Sequence, residues 1–215
     1  MGNMPNTYRL AIFDFDGTLA DSFPFFVSTF NQLAARHRFS GIAPCDIPQL
    51  RRYSARQLMR HVGMPAWKMP FVANSFRALM EENQAGIALF DGVGELLQEL
   101  TQQGVTLAVV SSNSRANVER ILGPGHAQLI HFFECGASIF GKAAPLRRVL
   151  RKSGIPASEA IYIGDQATDL EAARKARLAC GAVAWGYGDI DALRAYSPDL
   201  EFHAVAEIGQ VAKGW

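Results

Sequence analysis

Asp14 and Asp16 stand two positions apart, directly after the apolar run Leu10, Ala11, Ile12, Phe13 and just before Gly17-Thr18. An apolar run closed by a breaker reads as a buried strand, and residues two apart on a strand share a face. The two carboxylates therefore leave the strand end together, where an open α/β sheet presents its ligand crevice. Like charges so close are costly without a cation or a proton between them. Hard oxygen ligands with no His or Cys suit magnesium. Taken by itself, the pair fits an Asx turn with two solvated aspartates equally well.

Other apolar runs also finish in polar groups. Thr106 to Val110 leads into Ser111-Ser112-Asn113, and Ala160 to Gly164 leads into Asp165, with Asp169 four residues on. Lys142 follows Gly141 ahead of a helical stretch. Each has a structural reading too. Ser-Ser-Asn serves as a turn or helix cap, and Asp169 as an acid favoured by a helix N-terminal dipole. The stretch LRRYSARQL adds Arg51, Arg52 and Arg56, which either grip an anion bidentately or cover an exposed helix.

In the order DFDGTLADS, VVSSN, GK, GDQATD, these motifs resemble those of the haloacid dehalogenase superfamily of phosphohydrolases, and most of all its phosphoglycolate-phosphatase-like branch. The resemblance implies a magnesium-dependent phosphatase. Asp14 would be the nucleophile, forming an aspartyl-phosphate, and Asp16 the general acid and base. An acid at position 16 speaks against dehalogenation, whose enzymes in this superfamily lack one there. Ser111 would donate to a phosphoryl oxygen, with Ser112 and Asn113 adding donors. Lys142 would offset the charge of nucleophile and phosphate; Lys152 is the other lysine of that region. For the metal, the resemblance implies Asp14, the backbone carbonyl of Asp16, and Asp165, with Asp169 acting through water or by orienting Lys142. Thr18 and Asp21 shape the turn beyond Asp16, and Thr18 joins Arg51, Arg52 and Arg56 among the expected substrate-binding residues. Trp185-Gly186-Tyr187 reads as packing. The implied partner is a small phosphorylated metabolite, phosphoglycolate-like or a sugar phosphate. Rival readings are a phosphosugar mutase, a phosphonate hydrolase using Lys68 as a Schiff base, and a non-catalytic binding module on the same fold.

The elements that must position these groups alternate in character. From Ser22 to about Ala88 helical spacing replaces strand-like runs, through Phe26, Phe30 and Leu33, then Leu58 and Val62, then Val72, Phe76 and Leu79. Residues 22–88 are expected to form an all-helical cap inserted into an α/β core of residues 1–21 and 89–215. The insertion holds eight Lys and Arg against three Asp and Glu, a net of +5, and the remainder thirteen against seventeen, a net of −4. A basic cap over an acidic core attracts anions, although each arginine singly reads as part of a solvated face. From Asp91 onward, expected helices (93–100, 116–122, 145–150, 169–176) alternate with expected strands (106–110, 132–139, 160–164, 179–185). That alternation predicts a doubly wound, Rossmann-like parallel sheet.

Bulk properties exclude several classes. The 215 residues are 49% apolar and 19% charged, with net charge +1, so nucleic acid and membrane surfaces find no whole-chain electrostatic attraction. Cys45, Cys135 and Cys180 are odd in number and far apart, which fits free thiols in a reducing cytosol. No apolar stretch approaches the roughly 18 residues that span a bilayer. The first ten residues lack a signal-peptide core, and Asn6 stands where myristoylation of Gly2 needs Ser or Thr. A soluble cytoplasmic protein is expected, its oligomeric state open.

Overall fold

The structure is a computed structural model that describes residues 7–82 and 86–213; the reading of Gly2 and Asn6 lies outside the described residues. Its strands are β1 (Leu10–Phe13), β2 (Thr106–Val110), β3 (Phe132–Glu134), β4 (Ala160–Gly164), β5 (Ala179–Val183) and β6 (Leu200–Phe202). They form one sheet in the order β3-β2-β1-β4-β5-β6, with every pairing parallel. The expected doubly wound sheet is therefore present, with β1 at its centre. The strand order reverses beside β1, and such a switch point opens a crevice at the carboxyl ends of the strands.

The helices follow in chain order as α1 (Phe23–His37), α2 (Ile47–Leu50), α3 (Ala55–His61), α4 (Met69–Glu82), α5 (Val93–Gln102), α6 (Arg115–Ala127), α7 (Ala143–Ser153), α8 (Ala167–Ala176) and α9 (Ile190–Leu193). Alternate strand residues face opposite layers. Ala11 and Phe13 pack with Leu97 and Leu100 of α5 and Val118 of α6, while Leu10 and Ile12 pack with Leu146 of α7 and Leu170 of α8. Because helices cover both faces, the central strands are apolar throughout instead of alternating.

Three sequence expectations shift at the ends of elements. The strand foreseen over 132–139 stops at Glu134, because Gly136 takes φ +73° and turns the chain. The strand foreseen to Trp185 stops at Val183. The helix foreseen over 116–122 does break at Gly123 (φ 69°, ψ 163°), but Pro124 then opens a further helical stretch to Ala127.

Between Ala20 and Leu89, which pair in an isolated antiparallel bridge, the described residues are helical or irregular. Asp21 N–H donates to Ala88 O at 2.9 Å and Phe90 N–H to Leu19 O at 2.9 Å, so the outgoing and returning chain run side by side. This helical segment has a small core of its own around Phe30, Ala34 and Val62. It leans on α6 through Arg120, which donates to Met80 O at 2.8 Å, and Asn117, which donates to Arg77 O at 3.1 Å. Among the described residues no helix is long and apolar enough to cross a membrane.

Candidate active site

Parallel pairing in register brings β1, β2 and β4 to a common edge, so Asp14, Ser111 and Asp165 emerge from neighbouring strand ends. Asp14 N–H donates to Ile163 O at 2.9 Å, which carries the ladder one residue past β1. Lys142 stands just before α7 and reaches back to the sheet. Its Nζ lies 2.6 Å from Asp14 Oδ2 and 2.7 Å from Asp169 Oδ1, and all three side chains are buried. Tyr162 Oη donates to Asp169 Oδ1 at 3.0 Å and the Gln166 N–H to Asp169 Oδ2 at 3.0 Å, so both oxygens of Asp169 are held. The other lysine, Lys152, is exposed and pairs with Glu134 at 2.8 Å.

Asp165 is fully buried and fixed from two sides. Thr18 Oγ1 donates to its Oδ1 at 3.2 Å, and the Tyr187 N–H donates to its Oδ2 at 2.7 Å. Two glycines make this possible. Gly17 sits at φ +80°, and a Cβ there would come within 2.3 Å of Asp165 Oδ2; one on Gly186 would come within 2.2 Å of Asp165 Cβ. Trp185 and Tyr187 pack as foreseen, against Phe90 and against Phe23 and Phe26, and the stretch also supplies a backbone donor to the acidic centre. Its available sequence signal was a Gly-aromatic-Gly run just past the end of β5, on the edge where the motifs converge. Ser22 and Tyr162 were also missed; Ser22 Oγ lies 2.9 Å from Tyr187 Oη.

Ligand oxygens of Asp14, Asp165 and Asp169 lie within 4.8 Å of one another, and all three residues are buried. Burial, and then the neighbouring Asp169 charge, raise the Asp14 carboxyl well above the usual range, with Lys142 opposing. The same two causes push Asp165 up to about 7. Burial works against the charge on Lys142, but Asp14 and Asp169 outweigh it and hold the ammonium above its ordinary value. Ionised, the three acids and one lysine carry two uncompensated negative charges.

Asp16 turns elsewhere. Its carboxylate accepts from Asn113 Nδ2 at 3.1 Å and from Ser22, and burial raises its pKa against those hydrogen bonds. It lies outside the group of three. Ser111 is buried, and its Oγ accepts from the Asn113 N–H at 2.9 Å. Ser112 and Asn113 face a cavity of about 540 Å³ that also reaches Asp14, Asp16 and Lys142, with the helical segment as its far wall. Thr18 is fully buried on Asp165, away from this cavity.

The arginines part company. Arg51 donates to Gly186 O at 2.6 Å and to Tyr187 O at 3.3 Å, and its guanidinium lies 5.5 Å from the Phe23 ring centre. Arg56 lies over Phe140 at 5.3 Å. Arg52 lines the cavity with no side-chain partner among the described residues. Lys68 donates to His37 O and Arg38 O outside that cavity, which removes the Schiff-base reading.

The family model for haloacid dehalogenase-like hydrolases matches residues 11–183. The chain belongs to this family. This hydrolase is 34% identical over 189 residues to the phosphoglycolate phosphatase of Synechococcus elongatus, covering 87% of its own length and 89% of that protein's. A 5'-nucleotidase of Pseudomonas aeruginosa is 28% identical over 217 residues, covering 95% of each chain. In fold, the hydrolase resembles a predicted phosphatase from Clostridium acetobutylicum, with TM-score 0.78, 20% identity, and 95% and 97% of the two chains covered. The family's divalent cation fits the acidic group found here, because the oxygen donors are hard and their surplus charge is two.

Proposed function

We propose that this phosphatase hydrolyses an organic phosphomonoester with magnesium, through an aspartyl-phosphate formed on Asp14. The observation that carries the reading is the buried group Asp14, Lys142, Asp165 and Asp169 at the open end of the sheet, beside a cavity large enough for a small molecule. Asp14, the carbonyl of Asp16 and Asp165 would hold the cation. When bound, it supplies positive charge to neutralise the phosphate and the carboxylates.

The chain's own residues account for the remaining steps. Lys142 favours the charged form of Asp14 and holds it in place, and its charge offsets that of the incoming phosphate. The Asp14 carboxylate attacks phosphorus, and the bond to the leaving alkoxide breaks. Asp16, whose raised pKa suits a proton donor, protonates that alkoxide. It then takes the proton of the water that cleaves the acyl-phosphate. Ser111, Ser112 and Asn113 lie at the end of β2, where donors meet phosphoryl oxygens. Residues 22–88 act as a cap, with Thr18 setting Asp165 and Arg51 and Arg52 bordering the substrate space; Arg56, over Phe140, is outside that lining. The enzyme works as a soluble cytoplasmic protein.

The test is release of inorganic phosphate from a panel holding phosphoglycolate, a sugar phosphate, a nucleoside monophosphate and an aryl phosphate. Turnover with magnesium that vanishes in chelator, returns with magnesium and is poor with calcium is expected. Full activity in chelator would remove the metal from the account, and no release from any ester would remove the reaction.

A further inference from the structure

The cavity beside the carboxylates has a large apolar share in its lining. Its lining includes Phe26, Phe30, Phe39, Val72, Ala73 and Phe76, with Arg52, Tyr53, Ser54 and Gln57 among the polar residues. The rings form an unbroken series that starts next to the acidic centre. Tyr187, whose N–H holds Asp165, lies 5.4 Å from Phe26, and Phe26 lies 5.3 Å from Phe30 and 5.8 Å from Phe76. Phe30 in turn lies 5.6 Å from Phe39.

Three of the four cations that border this space are already engaged. Arg51 is held by two backbone carbonyls, Arg77 by Ser112 O at 2.8 Å and by Asn74 Oδ1 at 2.5 Å, and Lys142 by its two carboxylates. Arg52 is left as the one bordering cation without a side-chain partner among the described residues. A two-carbon acid phosphate would seat its phosphate at the acidic end and, even with its carboxylate on Arg52, leave much of the apolar wall uncovered. Apolar surface left in water is unfavourable. Cavities of about 300 to 1,000 Å³ suit ligands of drug size, well above a two-carbon acid.

We infer that the preferred substrate is a phosphomonoester whose alcohol part is uncharged and apolar, an aromatic or extended alkyl body that lies along the Phe26–Phe30–Phe76 wall. The inference rests on the phosphatase reading above and adds the class of leaving group. The phosphate goes to the strand ends; the alcohol part goes under the helical segment, along its phenylalanine rings.

The test measures kcat/KM for ethyl, butyl, hexyl and 2-phenylethyl phosphate beside phosphoglycolate, with magnesium present. The alkyl alcohols leave with nearly the same acidity, so differences among them report the wall. Each methylene buried is worth up to about fourfold. Hexyl phosphate should therefore exceed ethyl phosphate at least tenfold, and hexyl and 2-phenylethyl phosphate should both exceed phosphoglycolate. Ala73→Leu, which fills part of the cavity, should cut the hexyl-to-ethyl ratio at least fivefold. A flat or falling alkyl series, phosphoglycolate as the best substrate, or an unchanged ratio in the variant would each overturn the inference while phosphate release upheld the reaction. If none of the esters releases phosphate, the reaction itself is wrong and the inference falls with it.

Discussion

Lys142 bridges Asp14 and Asp169 with both contacts below 2.8 Å, in a site where three carboxylates are buried together. Removing one partner of a buried ion pair leaves the other charge uncompensated, at a cost of about 3 to 5 kcal/mol. Lys142→Met, similar in length and uncharged, should therefore melt roughly 6 to 20 °C below the wild type by calorimetry without added metal. Melting within two degrees of wild type would contradict the role given to this pair. Much of the site at this scale was legible, because Asp14, Lys142, Asp165 and Asp169 announce themselves by residue type and position after apolar runs. Tyr187 and Gly186 were not. A backbone N–H carries no residue signature, and its meeting with Asp165 spans 22 positions of chain. Nor did the sequence reveal that Asp16 would turn to Asn113 and Ser22, since a strand sets the direction of a side chain but not its final rotation.

At the scale of elements, strand ends set the catalytic groups, and one arginine ties the helical segment to them. Arg51 lies just past α2 and reaches the carbonyls of Gly186 and Tyr187, the same stretch whose N–H holds Asp165. The Asp189 N–H donates back to Arg51 O at 2.9 Å. Arg51→Ala should lower kcat/KM by roughly ten- to a hundredfold, the worth of a hydrogen bond to a charged group. The loss should be alike for esters with and without a second anion, because the contact positions protein against protein. A loss confined to esters bearing a second anion would make Arg51 a substrate ligand instead. The central strands were readable because helices cover both faces, so β1, β2 and β4 are continuous apolar runs. Strand β6 was not. At three residues on the edge of the sheet it is too short to show a period, and its pairing with β5 comes from the tertiary fold.

The molecule as a whole joins opposite characters. A helical segment with net charge +5 stands over a remainder at −4, yet its inward wall carries many aromatic and aliphatic side chains beside its arginines. Charge can draw in the phosphate while the cavity sorts the alcohol it is attached to. The strand ends then converge on Asp14, the carboxylate proposed to take the phosphoryl group. Turnover of Asp14→Asn tests this most directly, measured in magnesium on an ester the wild type hydrolyses, with the variant's folding verified by its melting curve. Loss of a covalent nucleophile leaves less than about a thousandth of the activity. A folded Asp14→Asn enzyme below that level is the predicted result; one that retains more would contradict the aspartyl-phosphate mechanism.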